Sequence, residues 1–286
     1  MTIPGVLRPA LAVAVLVGLA ACGERGAATT PPTATAGPAA TDGLVLRIED
    51  TGGFVSPSVT SSRLPRVSVY ADGRVISEGP VAAIYPGPAL PNLQVQQLDH
   101  AAVQDLVDRA MAAGVAETSD LGSPPIADAT STRFTVVTAS HTYVREVYAL
   151  SETQSDVPGL TEEQRAARGK LNDLADALTG PTADGGDSTP YAPTSLAALA
   201  TPWADPQDGL TQPDMAWPGP ALPGEPTGGM PDLTCVAVTG DQATSLLAAA
   251  GSANAATPWV TKDGARWTVT FRPLLPDESS CADLAG

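Results

Sequence analysis

Two hydrophobic periods alternate along this chain and divide it into strands and helices. Leu44-Val45-Leu46-Arg47-Ile48-Glu49 sets leucine and isoleucine at every second position, the pattern of a half-buried strand, and Gly52-Gly53 closes it. Arg66 to Ala71 and Arg74 to Glu78 flank Asp72-Gly73, a dipeptide that takes the positive φ values of a two-residue hairpin turn. Pro80, Pro86, Pro88 and Pro91 then prevent regular structure around Ile84-Tyr85, which reads as a stiff surface connection rather than a binding loop.

Leu93 to Leu98 is a strand, and Asp99 behind it can cap a helix by accepting from free first-turn amides. Val103, Leu106, Val107, Ala110 and Met111 follow at helical spacing up to Gly114, so one face of this helix packs on a sheet. Thr132 to Ala139 and Thr142 to Leu150 are rich in β-branched and aromatic residues, with Ser140-His141 as the turn between them. Thr161-Glu162-Glu163-Gln164 announces a second helix by a reciprocal hydroxyl and amide cap; Leu171, Leu174 and Leu178 form its stripe and Gly180-Pro181 ends it.

The pattern then loosens. Tyr191 to Trp203 reads as extended, and Ala204 to Asp232 carries Pro or Gly every few residues, so residues 181–233 form a linker or wrapping loop. Trp217 inside it either docks on the protein's own body or is offered to a ligand. Periodicity returns with a strand over Cys235 to Val238, a helix capped by Asp241 and ending at Gly251, and a second Asp-Gly hairpin. That hairpin pairs Trp259 to Lys262 with Ala265 to Arg272 and sets Trp267, Val269 and Phe271 on one face. The fold class is α+β: antiparallel hairpins covered by two or three helices. Residues 44–180 form one domain, and residues 234–286 form a small unit that could belong to the same body.

Before Leu44 the character differs. Arg8 precedes an apolar run from Ala10 to Ala20, too short at 1.5 Å per residue to cross a hydrocarbon core of about 30 Å, and a cleaved signal fits better. It closes on Leu19-Ala20-Ala21-Cys22. This stretch resembles the lipobox of bacterial lipoprotein precursors, an apolar residue and two small ones before a cysteine. The resemblance implies cleavage after Ala21 within a signal peptide of residues 1–21, and diacylglycerol on the Cys22 sulfur. It also implies localisation on the extracytoplasmic face of the cell membrane, since two or three acyl chains anchor stably where one does not. An ordinary secretory signal would instead leave Cys22 as a free thiol. Residues 22–43, nearly all Ala, Thr, Pro and Gly, have too little apolar bulk to repay ordering and form a tether reaching on the order of 25 to 60 Å.

Charge narrows the partners. The formal charge is -16, which opposes binding to nucleic acid, because phosphate affinity comes from Lys and Arg. With 28 Pro, 27 Gly and 4% aromatic residues in 286, the core is modest. Once Cys22 is lipidated two cysteines remain, Cys235 and Cys281, and in an exported protein such a pair is most simply a disulfide; a metal or catalytic thiol is the alternative.

Recognisable catalytic signatures do not occur: no Gly-x-Ser-x-Gly, His-Glu-x-x-His, Ser-x-x-Lys or Gly-rich phosphate loop. His100 at a helix start and His141 at a hairpin tip read first as surface residues. Asp184-Gly185-Gly186-Asp187 and Asp205-Pro206-Gln207-Asp208-Gly209 lack the alternating oxygen ligands and distal Glu of a calcium loop. The sequence therefore implies no cofactor, no metal and no assignable catalytic residue, although paired carboxylates of a glycosidase leave no spacing rule. The segments Leu64-Pro65-Arg66 to Gly73-Arg74-Val75, the Phe134 hairpin and Arg272-Pro273-Leu274-Leu275-Pro276-Asp277-Glu278 resemble those of uncharacterised actinobacterial lipoproteins, a resemblance that transfers no site. The leading expectation is a non-catalytic, membrane-anchored lipoprotein that binds an envelope protein or polymer; an exported hydrolase of envelope polymers is the other class.

Overall fold

The computed structural model describes residues 37–152, 158–179 and 187–284. The lipobox Leu19-Ala20-Ala21-Cys22, the tether up to residue 36, Gly180-Pro181 and residues 182–186 lie outside the described residues. In chain order the elements are β1 (Leu44–Gly52), α1 (Pro57–Ser62), β2 (Val67–Tyr70), β3 (Arg74–Glu78), β4 (Leu93–Gln97), α2 (His100–Ala112), β5 (Thr130–Val137), β6 (Thr142–Tyr148) and α3 (Glu162–Thr179). They continue with β7 (Thr189–Pro190), β8 (Ser195–Pro202), β9 (Met215–Ala216), β10 (Glu225–Thr227), β11 (Met230–Thr239), α4 (Gly240–Gly251), β12 (Trp259–Val260) and β13 (Arg266–Pro273). A 3-10 turn over Cys281–Leu284 follows. The α+β class holds, with two sheets that are antiparallel except where β12 meets β9.

The first sheet runs β6-β5-β1-β2-β3-β4-β7. Leu46, Ile48, Phe134 and Val136 turn one face toward α2 and α3, which supply Val103, Val107, Ala110, Leu171 and Leu174 to the same core. Both caps form as the sequence predicts: Asp99 accepts from Ala102 N–H at 2.8 Å, and Thr161 N–H and Gln164 N–H bond each other's side chains at 2.9 and 3.2 Å.

The second sheet runs β10-β11-β8-β13-β12-β9. Its central strand, β8, lies inside the stretch expected to be a linker or wrapping loop. Leu196, Ala198 and Ala200 face α4 and the tryptophans, while Ala197 and Leu199 face Leu233, Cys235 and Leu274. A strand buried on both faces shows a continuous apolar run instead of alternation.

Three details depart from expectation. Both Asp-Gly hairpins close through three residues, not two: Gly73 N–H donates to Tyr70 O and Gly264 N–H to Thr261 O, and within each turn only the glycine has positive φ. This is a type I turn followed by a left-handed residue, so Ala71 and Lys262 belong to the turns. The residue ahead of α4 is Thr239, and Asp241 sits in the first turn, where its charge complements the helix dipole without capping. Finally, α1 falls in a segment with no hydrophobic period; it packs on the second sheet against β8, β11 and β13.

The two sheets share segments. Arg63 follows α1 and returns the chain to the first sheet, while Leu275, beyond β13, is buried with Tyr70, Ile76 and Leu93 of that sheet. The Cys235–Cys281 disulfide forms, with Cα atoms 6.1 Å apart, and ties β11 to the C-terminal 3-10 turn. All described residues fall within one compact unit.

Candidate functional site

A cleft of about 760 Å³ opens between α1, the loop joining β3 to β4, and β13. The loop is held out from its own sheet by backbone bonds to the segment after α4: Ala255 N–H donates to Gly87 O at 2.8 Å, and Pro88 bridges Asn254. Ala89 and Leu90 pack on the second core, and the Tyr85 hydroxyl donates to Asp208 at 2.8 Å. Four prolines limit the chain entropy lost in this anchoring. The stretch expected as a surface connection is therefore one wall of the cleft.

Apolar side chains stand exposed on both walls. Val59 of α1 is 48% exposed and Val81 of the loop 63%, and both line the cleft. Phe54 and Val55 lead into α1, and Ile84 and Tyr85 follow Val81; all four are exposed. Val269 and Phe271 of β13 also line the cleft. Exposed apolar residues scattered singly need no explanation; Val59 and Val81 differ in lining one concavity.

The charged lining comes from the end of β1, the irregular segment between α1 and β2, and Glu78 of β3. Asp50 accepts from Arg66 Nε at 2.8 Å and from Thr132 Oγ1 at 3.3 Å, so its carboxylate is held by neighbours. Arg63 donates from one nitrogen to the carbonyls of Asp50 and Gly52, at 3.0 and 3.1 Å. It makes no ion pair among the described residues. The cleft thus offers two exposed valines together with two charged groups that make no ion pair among the described residues, the Arg63 guanidinium and the Glu78 carboxylate.

A second, charged cleft of about 350 Å³ lies beside it and shares Asp50, Arg63 and Leu64. Apart from Arg63 and Asp283, its ionic groups are paired within the fold. Arg272 and Glu278, both buried, bond at 2.8 Å; Arg47 and Tyr70 both donate to Asp277, at 2.8 and 2.7 Å. Burial, and then the Asp277 hydrogen bond, push the Tyr70 phenol well above its ordinary range. This network clamps the segment after β13 onto the first sheet.

Of the residues singled out by sequence, Cys235 and Cys281 are brought together, and Ala21 and Cys22 lie outside the described residues. Trp217 docks on the body: it is 7% exposed and packs against Trp259 and Phe271. His141 sits at the β5–β6 turn beside Ser140 Oγ, 2.8 Å from Nδ1, and His100 opens α2; neither lines the large cleft. Among the described residues no group of three or more His, Cys, Asp or Glu is placed to hold a metal. Sequence reasoning missed Val59, Arg63 and Val81, which come from an unpatterned helix, an irregular segment and a proline loop. Their only local signal is Ser56-Pro57, a helix start with Pro at its first position.

The chain enters the body at the far end of β1. Ala39 bridges Thr138, and Ala40 N–H donates to Val137 O, whereas the cleft begins at Asp50, about 20 Å along the strand. No helix among the described residues is long and apolar enough to cross a membrane. Compared with known proteins, the chain matches no family model, no curated protein sequence and no solved structure.

Proposed function

We propose that this protein is a lipid-anchored binding protein of the cell envelope, held on the extracytoplasmic face through Cys22, which takes an apolar segment of an envelope component into the cleft between α1 and the β3–β4 loop. The observation that carries the binding reading is the pair of exposed apolar residues that line one cleft, Val59 on α1 and Val81 on the β3–β4 loop, with Arg63 in the same lining. Support for the anchor comes from the Leu19-Ala20-Ala21-Cys22 sequence, and the Cys235–Cys281 disulfide agrees with an exported protein. A lipid on Cys22 would hold the body by the end of β1 opposite the cleft, leaving the cleft free for a partner.

Two measurements test the two parts separately. Intact mass of the chain extracted from native membranes should exceed that of the polypeptide beginning at Cys22 by a diacylglycerol and any further acyl chain, and a Cys22→Ala chain should lose membrane association. An unlipidated chain in the medium would remove the anchor. For the cleft, the probe is 1-anilinonaphthalene-8-sulfonate, an apolar anion. Its fluorescence should rise with the wild type and fall at least fivefold with Val59→Asp/Val81→Asp at unchanged far-ultraviolet circular dichroism. Equal fluorescence from both chains would sink the binding reading while leaving the anchor standing.

A further inference from the structure

Strand β6 ends the first sheet, with β5 on one side and no strand among the described residues on the other. Its register with β5 runs from Val137↔Thr142 to Ser131↔Tyr148. Thr138 N–H donates to His141 O at one end and Ala149 N–H to Thr130 O at the other, both at 2.8 Å. In an antiparallel ladder, hydrogen-bonded and non-bonded pairs alternate, so Tyr143, Arg145 and Val147 spend their backbone groups on β5. Thr142, Val144 and Glu146 turn theirs outward, and no backbone partner meets them among the described residues. Val144, at the middle of this open edge, is 57% exposed.

Open edges are usually blunted by charge, and β6 carries two charges. Both are engaged within their own body. Glu146 accepts from Arg133 Nε and from Thr51 Oγ1, each at 3.2 Å. Arg145 donates to Glu117 O at 2.6 Å and to the Ser119 backbone and hydroxyl oxygens.

From these features we infer that β6 is a docking edge for a second copy of this chain, the two β6 strands pairing antiparallel about a twofold axis at Val144. The sequence of the strand selects that register. With Val144 opposite Val144 of the other copy, Thr142 faces Glu146 as a hydrogen-bonded pair, and Tyr143 faces Arg145, an aromatic ring beside a cation. Sliding toward the C-terminus sets Arg145 opposite Arg145, or one step further Glu146 opposite Glu146, and like charges directly opposite destabilise. Sliding the other way sets Tyr143 opposite Tyr143 and leaves only Thr142 to Val144 paired, the remainder falling on the Ser140-His141 turn. The Val144 register is therefore the longest one free of like-charge opposition. It joins two seven-stranded sheets edge to edge with both helical layers on one side. This inference does not depend on the cleft or on the lipid.

The full chain in mild detergent should sediment as a dimer, and Val144→Pro should halve the mass without lowering the melting temperature. Proline fits there because the Val144 N–H points away from β5 and no internal ladder bond is lost. Oxidative cross-linking reads the register. Opposed Val144→Cys residues would have Cα atoms about 5.5 Å apart, within disulfide range. Two Thr142→Cys copies would be separated by roughly 14 Å, given four residues of stagger. Val144→Cys should therefore cross-link at least tenfold faster than Thr142→Cys alone, while an equal mixture of Thr142→Cys and Glu146→Cys chains should cross-link. A monomeric wild type, a Val144→Pro chain that remains dimeric, or Thr142→Cys cross-linking as fast as Val144→Cys would each overturn the inference.

Discussion

Arg272 and Glu278 form an ion pair in which neither side chain exceeds 6% exposure. Glu278 accepts twice from Arg272, at 2.8 and 3.0 Å, and from Leu275 N–H at 2.7 Å, so it both neutralises a buried cation and fixes the turn after β13. Removing one partner strands the other. Glu278→Gln should cost about 3 kcal/mol, read from the urea midpoint, whereas Arg272→Met/Glu278→Leu should cost less than that single change because no buried charge remains. A double variant less stable than Glu278→Gln would show that the pair contributes more than its desolvation penalty. Tyr70 makes a related prediction in pH. Its folded pKa is raised above the unfolded value of about 10, so the folded state binds the proton more tightly. The associated stability is present below about pH 10 and is lost as pH rises through the folded pKa. Tyr191 is shifted the same way by burial, so Tyr70→Phe should reduce but not abolish the alkaline loss of stability. Parallel pH profiles for wild type and Tyr70→Phe would exclude Tyr70 as a source of that loss.

At the scale of elements, the two Asp-Gly hairpins make the same turn in different surroundings. Gly73 has φ +87° and Gly264 φ +88°, and a side chain in that region costs roughly 1 kcal/mol at either position. A Cβ on Gly73 would also lie 2.1 Å from the Leu98 carbonyl oxygen, whereas one on Gly264 meets nothing within 4 Å. Gly73→Ala should therefore destabilise at least twice as much as Gly264→Ala in urea unfolding; equal costs would mean that Leu98 yields freely. The hairpins were legible because Asp-Gly between apolar runs is a local signal, yet their loop length was not, since Ala71 and Lys262 carry no turn preference that distinguishes three residues from two. Strand β8 was legible only as extended chain. Burial on both faces removes the alternation that would mark Ser195 to Pro202 as a sheet centre, and the prolines around it suggest a linker. Helix α1 was not legible in the hydrophobic pattern: Pro57 to Ser62 contains one large apolar residue, Val59, and that residue lines the cleft instead of the core. The cleft inherits this opacity, because Val59, Arg63 and Val81 become neighbours only through the docking of the β3–β4 loop on Asn254 and Ala255.

The whole molecule couples two sheets through exchanged segments, which bears on how it unfolds. Helix α1 leaves the first sheet to pack on β8, β11 and β13, and Leu275 leaves the second to be buried with Tyr70 and Ile76. Neither sheet can lose its partner without exposing apolar surface, so unfolding of one should remove stability from the other. The tryptophans offer a direct reading, since Trp203, Trp217, Trp259 and Trp267 all lie in the second half of the chain and the last three are buried on the second sheet. Leu171, of α3, is 1% exposed in the first core, which contains no tryptophan. Leu171→Ala should cost about 3 kcal/mol through lost transfer energy and the cavity left behind. If the two sheets unfold as one unit, tryptophan fluorescence should report that full cost although no tryptophan touches the mutated core, with a midpoint coinciding with that of far-ultraviolet circular dichroism. A fluorescence midpoint that stays at the wild-type value while the dichroism midpoint falls would mean that the exchanged segments are too weakly held to couple the sheets. The cleft between them would then open independently of either core.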